Sequence, residues 1–353
     1  MAAETLFYFM DSALAHSLQA AGQPAEILRL TDGSELMVLP YGGRILGLFA
    51  GDERNFFWVN PALQAANSAR QFFNSTRWQN TGGERTWLAP EAEYFFPHYP
   101  DLGTYLQPRP LDAGQFAVMR KQDGLCLTSE FSTPAWRSGG SAHVRLTLLL
   151  TATSNPLRDQ RRFLGLAFAG YTVQRKLTRI APGPAVGIWC LNQLPHGGEM
   201  LLPATGLPAP RIFFGQIPTD DLVVEPGLVR YRMRSLGEHK IGLHASTAVG
   251  RVGYWSQPGS EAELVVRNFS IKPDAVYLDG PPEQPNDIGY AVEACNVANP
   301  ELGHFSELEY HAPTMTADQS VSDDTSQVWA FRGPPGLVAE ARRELVERDL
   351  RAR

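Results

Sequence analysis

Short extended runs broken by turn residues fill the middle of the chain, and this pattern restricts the fold more than any other feature. AEILRL, LMVLP, RILGLFA, FAVMRK, LCLTSEF, VRLTLLLTA, LGLAFAGYTVQRKLTRI, GIWCLNQL, LVVRNFSI and AVYLDG are such runs. Most of the 27 prolines and 32 glycines fall between them, where turn chemistry uses them. Many short strands with no interleaved helical periods predict an all-β sandwich or barrel, not βαβ units. Arg161-Arg162 and Lys240 are read as strand-edge charges that discourage edge pairing.

Helical spacing occurs only at the two ends. Within residues 4–21, Leu6, Phe9, Met10, Leu14 and Leu18 form one stripe, stopped by Ala-Gly-Gln-Pro. After Gly-Pro-Pro-Gly (333–336), Val338, Ala341, Leu345 and Leu350 mark a second amphipathic helix laced with Glu/Arg pairs. The expected organisation is a helical extension over 1–24, a β-sandwich domain over 25–332 and a C-terminal helix over 333–353. The polar stretch 314–327 reads as a mobile surface loop.

Composition excludes more than it assigns. At 353 residues, 43% apolar and 19% charged, the chain can bury a large core. Its formal charge of −6, from 31 basic and 37 acidic residues, offers no clustered basic face for nucleic acid. Cys126, Cys190 and Cys295 fit neither a disulfide framework nor a CxxC zinc site and read as buried thiols. The N-terminus carries Glu4 and Asp11 and lacks a basic n-region, which argues against a signal peptide. With no apolar run of about 18 residues, no membrane span is expected, and the chain reads as cytoplasmic.

Four segments gather more polar and aromatic groups than a scaffold needs. QNTGGERTWLAPEAEYFFPHYP (79–100) holds Glu84, Arg85, Trp87 and His98 beside a Gly-Gly turn. Guanidinium donors with flat rings suit a sugar's hydroxyls and apolar face. The competing reading is a capped turn with a structural Glu–Arg pair and core aromatics. GIWCLNQLPHGGEMLLP (187–203) offers Trp189, Asn192, Gln193 and His196. An imidazole there can act as acid or base near neutrality, or be an ordinary loop histidine. HKIGLHASTAVGRVGYW (239–255) adds His244, Arg251 and Trp255, for which core or surface explanations also suffice.

The fourth segment, DIGYAVEACNVANPELGHFSELEYHAP (287–313), is the most informative. In an extended strand Phe305, Glu307, Glu309 and His311 share one side, with Ser306, Leu308 and Tyr310 opposite. Two carboxylates and an imidazole on one face need water, counter-charges such as Arg85, or a ligand. Glu293 is an isolated carboxylate on a neighbouring apolar strand. The alternative is a solvated sheet face. No HExxH, CxxC pair, GxSxG elbow, P-loop or GxGxxG after a strand is present. No cofactor is called for, and a divalent cation held by Glu and His stays open.

ILRLTDGSELMVLPYGGRILGLFAGDERNFFWVNP, GGERTWLAPE and ELEYHAP, in that order, resemble galactose mutarotase-like (aldose 1-epimerase-like) proteins over most of residues 25–313. The resemblance implies a β-supersandwich of two large twisted antiparallel sheets, with the sugar site on a concave face. It also implies a Glu base for the anomeric hydroxyl, here Glu307 or Glu309. The His acid for the ring oxygen would be His196 or His98, and Arg85 would fix the substrate. The Asn-His-x-Tyr/Phe-x-Asn-Leu and Glu-Pro-x-x-x-Pro-Asn signatures of characterised epimerases are replaced here by GIWCLNQLPHGG and Glu-Leu-Glu. The expected partner is a carbohydrate, with Glu84, Trp87, Trp189, Asn192, Gln193, His244, Glu293 and His311 as further contacts. The reaction stays open between isomerase, lyase or hydrolase, and non-catalytic binding, and so does the oligomeric state.

Overall fold

The computed structural model describes residues 13–347, apart from 31, 102, 281–283, 285 and 288. Its strands pair antiparallel into two large sheets, one of nine strands and one of ten among the described residues. The smaller sheet runs, in spatial order, Glu26–Arg29, Glu35–Leu39, Arg44–Phe49, Glu84–Ala89, Gly187–Pro195, Gly303–His311, Tyr290–Asn299, Gly237–His244 and Arg211–Phe214. The larger is centred on Arg251–Ser256, Ala262–Phe269, Val321–Gly333, Ala167–Arg179 and Ser141–Ala152. The expected all-β sandwich is the observed fold. Among the described residues no helix is long and apolar enough to cross a membrane.

Alternation along the strands builds the core between the sheets. Leu194, Leu308, Tyr310, Val292, Ala294, Ile241 and Leu243 of the nine-stranded sheet pack with Leu146, Leu148, Tyr171, Val173 and Val265 of the other. Residues of opposite parity on the same strands therefore face away from the second sheet.

The terminal helices cover apolar surface, as amphipathic stripes do. Ala13–Ala20 buries Leu14 and Leu18 against Met37, Leu39, Leu46 and Leu63. The rest of the expected stripe (Leu6, Phe9, Met10) lies outside the described residues. Pro335–Arg342, continued by Arg343–Glu347, buries Val338, Ala341, Leu345 and Val346 against Leu264, Trp329 and Phe331. Leu350 also lies outside the described residues.

Four expectations are corrected. The polar stretch 314–327 is no loop beyond residue 320, because Val321–Gly333 is a central strand. Its Asp324 and Ser326 are buried against Arg175, so its polarity serves an interior charge cluster. AVYLDG forms no strand but an irregular segment after a turn at 273–274, with the Tyr277 hydroxyl accepting from the Lys272 amide. Arg161-Arg162 lies in a short 3-10 turn. Lys240 lies inside Gly237–His244, a strand paired on both sides, and is 5% exposed.

Candidate functional site

Gly82 and Gly83 set the start of the site. Both have positive φ, at 93° and 72°. A Cβ on Gly83 would lie 2.4 Å from the Ile45 carbonyl oxygen, so only glycine lets these two chains approach so closely. The strand Glu84–Ala89 then pairs along Gly187–Pro195, which pairs along Gly303–His311. This register sets Arg85, Leu191, Glu309 and Glu293 in one row, and Trp87, Trp189 and His311 in another. Gln193, Glu307, Cys295 and Lys240 form a third.

The face turned away from the second sheet thus collects Arg85, Trp87, Trp189, Gln193, Glu293, Glu307, Glu309 and His311. Phe305 joins it, packed on Trp58 at 4.7 Å between ring centres. The face divides into two linked groups. In the first, Arg85 Nη2 donates to Glu307 Oε1 at 2.8 Å and Gln193 Nε2 donates to the same oxygen at 2.9 Å. Arg85 Nη1 donates to Asn80 Oδ1 at 3.1 Å. The guanidinium lies 4.0 Å over the Trp87 ring and 5.2 Å over Trp78, a cation–π sandwich. Gln193 Oε1, Arg85 Nε and Asn80 Nδ2 are buried with no hydrogen-bond partner.

The second group surrounds Lys240. Its Nζ lies 2.7 Å from Glu293 Oε2, 3.1 Å from Glu309 Oε2 and 3.9 Å from Glu91 Oε2. Trp189 Nε1 donates to Glu309 Oε2 at 2.8 Å, and the Trp189 ring stacks on His311 with centres 5.6 Å apart. His311 Nε2 sits 3.3 Å from Glu293 Oε2 and 3.6 Å from Asp279 Oδ2. Asp279 Oδ1 accepts from the Glu91 amide at 3.0 Å.

Burial shifts these groups strongly. Loss of water pushes the Glu309 carboxyl up to about 8, with Glu293 and Glu307 reinforcing the rise and Lys240 opposing it. Burial likewise raises Asp279 to about 7 against the pull of His311. Glu293 is also raised by burial despite Lys240. The Lys240 ammonium loses solvation but is held well above its ordinary range by Glu293 and Glu309. Burial pushes the His311 imidazole down. Two trios of side chains offer ligand atoms close enough to hold a metal: Asp279–Glu293–His311 and Cys295–Glu307–Glu309.

Other expected residues lie elsewhere. Glu84 and Asn192 have the opposite parity and point between the sheets. There Glu84 accepts from Arg175, Arg267 and Tyr171, and burial is overcome by both arginines, which hold its carboxyl below its ordinary range. Both side-chain polar atoms of Asn192 are buried without a partner. His196 follows its strand and pairs with Asn296 at 3.0 Å, on the side of the sheet away from Glu307. The exposed side of His98 meets Thr104 at 3.3 Å, and His244 stacks on Tyr290 and meets the Gly289 carbonyl oxygen at 2.9 Å. Arg251 and Trp255 belong to the second sheet. None of these four histidine and aromatic positions joins the cluster.

Lys240, Asp279, Trp78 and Asn80 escaped the sequence reading. The signal for Lys240 was a lone ammonium in the mixed strand GEHKIGLH; Asp279 gave none, because a Leu-Asp-Gly run is ordinary. Trp78 and Asn80 also line a cavity of about 430 Å³ with Asn60, Gln71, Arg77 and Glu301. This cavity abuts the Arg85–Glu307 pair through Trp78 and Asn80.

A galactose mutarotase-like protein from Lactobacillus casei ATCC 334 superposes on 87% of this chain and 99% of its own, with a TM-score of 0.52 at 11% identity. The fold is the galactose mutarotase-like one. Galactose 1-epimerase from Lactobacillus acidophilus NCFM matches 88% of this chain and 94% of its own, at 9% identity and a TM-score of 0.46. A galactose mutarotase related enzyme from Lactobacillus acidophilus matches 86% and 97%, at 7% identity and a TM-score of 0.45. No protein-family model and no curated protein matches the sequence. The mutarotase-like fold is thus shared at 11% identity, and the side chains on the sheet face must argue the chemistry.

Proposed function

We propose that this protein binds a reducing sugar on the outer face of the nine-stranded sheet and interconverts its anomers, as an aldose 1-epimerase does. One observation carries the reading: Glu307 and Glu309 share a strand face, with carboxylate oxygens within 4.8 Å of each other and different partners, Arg85 and Gln193 on the first, Lys240 and Trp189 on the second. Glu307 is hydrogen-bonded by Arg85 and Gln193 and takes the base role. Glu309, pushed up to about 8 by burial, keeps its proton at neutral pH and takes the acid role. Two carboxyls whose surroundings set them apart are how one site supplies both acid and base.

In this reaction Glu307 removes the proton of the anomeric hydroxyl while Glu309 protonates the ring oxygen. The bond between C1 and the ring oxygen breaks, the aldehyde end turns, and the reverse transfers close the ring on its other face. Trp78, which lines the cavity beside Asn80, offers a flat apolar surface to the pyranose, and that cavity offers the approach. The acid is thereby assigned to Glu309 rather than His196, which pairs with Asn296 instead.

NMR exchange between anomers, measured over a panel of free aldoses, tests this. At least one sugar is accelerated, and Glu307→Gln lowers kcat by about 10²–10⁴-fold. If no sugar is accelerated, or if Glu307→Gln is as active as the parent, the assignment is wrong. The same close carboxylate pair supports a second reading, glycosidic cleavage, since retaining hydrolases hold their carboxyls about 5–5.5 Å apart. Release of phenol from aryl glycosides without anomer exchange would select it.

A further inference from the structure

The Asp279–Glu293–His311 trio lies outside the acid–base pair just assigned, and the proposed reaction uses none of its atoms. Its three potential ligand atoms converge from three different segments: the irregular stretch 276–280, the strand Tyr290–Asn299 and the strand Gly303–His311. All three residues are more than nine-tenths buried. His311 Nε2 stands 3.3 Å from Glu293 Oε2 and 3.6 Å from Asp279 Oδ2, both long for a charged hydrogen bond. The shorter of those spacings matches another geometry. Tetrahedral bonds of about 2.0–2.1 Å place neighbouring ligand atoms about 3.3–3.4 Å apart.

Two further observations point to a ligand. Asp279 Oδ2 is buried at a residue 6% exposed and takes no hydrogen bond, although a carboxylate oxygen out of water requires a partner. The charge around it is also unbalanced. Glu91, Asp279, Glu293 and Glu309 all act on the single ammonium of Lys240, so four acids face one base. A divalent ion at the trio would supply positive charge to buried carboxyls that Lys240 alone cannot neutralise.

We infer that Asp279, Glu293 and His311 form a binding site for a divalent first-row transition ion, zinc in the first instance. Two carboxylate oxygens and an imidazole select this class over calcium or magnesium, which prefer all-oxygen shells. With its proton on Nδ1, His311 presents Nε2 to the ion, and the flat face of Trp189 fixes the ring plane. Lys240 engages Glu293 and Glu309 at 2.7 and 3.1 Å and leaves Asp279 Oδ2 and His311 Nε2 to the ion. The Cys295–Glu307–Glu309 trio fits less well: both of its carboxylates are engaged, by Arg85, Gln193, Trp189 and Lys240, whereas in the first trio Lys240 engages Glu293 alone, and burial raises the Cys295 thiol well above the ordinary range.

The full chain, stripped with a chelator, is titrated with Co²⁺ as a visible-absorbing probe and with Zn²⁺ by calorimetry. The expected result is one equivalent bound, with a tetrahedral d–d band and no thiolate charge-transfer band. Asp279→Asn and His311→Gln weaken binding at least tenfold, while the metal-free variants keep the parent's circular dichroism. Anomalous diffraction from a Co²⁺-soaked crystal of the unmodified protein places the ion among Asp279, Glu293 and His311, which tests the site even if a variant misfolds. Glu307→Gln, which abolishes the proposed turnover, leaves binding unchanged, so the two readings fail separately. The inference is overturned by an absence of saturable binding up to about 1 mM, by binding that survives Asp279→Asn, or by an ion located at Cys295.

Discussion

Replacing Glu84 by Gln keeps the side chain's volume and deletes one negative charge from between the sheets. Glu84 is 1% exposed and accepts from Arg175, Arg267 and Tyr171. Arg175 retains Asp324 at 3.1 Å; Arg267 has no second acidic partner among the described residues. The loss therefore falls on Arg267, left buried without a counter-charge, and removing one member of a buried pair costs about 3–5 kcal/mol. Unfolding entropy near 2.1 cal/mol/K per residue amounts to about 0.74 kcal/mol/K for 353 residues. The expected fall in Tm is then about 4–7 °C by differential scanning calorimetry. Adding Arg267→Met to Glu84→Gln restores about half of the loss or more, since the orphaned charge is gone. The folded carboxyl titrates below its ordinary value of 4.5, so its contribution is complete above that pH and disappears as pH falls through the folded pKa. A Tm within about 1 °C of the parent, or a double variant worse than the sum of its parts, would refute the interior placement. Loss of sugar binding at unchanged Tm would return Glu84 to the ligand face.

Gly83→Ala lowers stability by about 3 kcal/mol or more in urea unfolding, because a Cβ at positive φ meets the Ile45 carbonyl oxygen on a chain that cannot withdraw. His196 adds a pH dependence. Burial lowers its folded pKa below 6.5, so protonation favours the unfolded chain, and stability falls as pH drops from 6.5 toward the folded value. His196→Gln removes that slope from denaturant midpoints measured between pH 5 and 7.5, and leaves anomer exchange intact.

The strand-and-turn pattern was legible because a period of two and Pro/Gly breaks are local properties, and so were the described parts of the terminal stripes, Leu14 and Leu18 at one end and Val338, Ala341 and Leu345 at the other. The polar face Glu307–Glu309–His311 followed from alternation alone, and its counter-charge Arg85 from the cost of burying carboxylates. Parity also governs Glu84 and Asn192, and here the reading went astray. Which side of a strand meets the second sheet depends on pairing register, and a buried glutamate is compatible with either side until its arginines are known. Arg175 and Arg267 come from strands 91 and 183 residues along the chain from Glu84.

Lys240 illustrates the same division. Its strand, GEHKIGLH, mixes polar and apolar residues, which fits an edge as well as an interior position. Only pairing on both sides brings Glu293 and Glu309 to it and makes burial tolerable. Asp279 arrives from an irregular segment that its own residues do not distinguish from any other. The sequence alone thus determined an all-β chain with an acidic strand face, because those depend on residues two positions apart. The tertiary structure decided which charges neutralise that face and which lie between the sheets, because long-range register, not local spacing, sets the distance between charges.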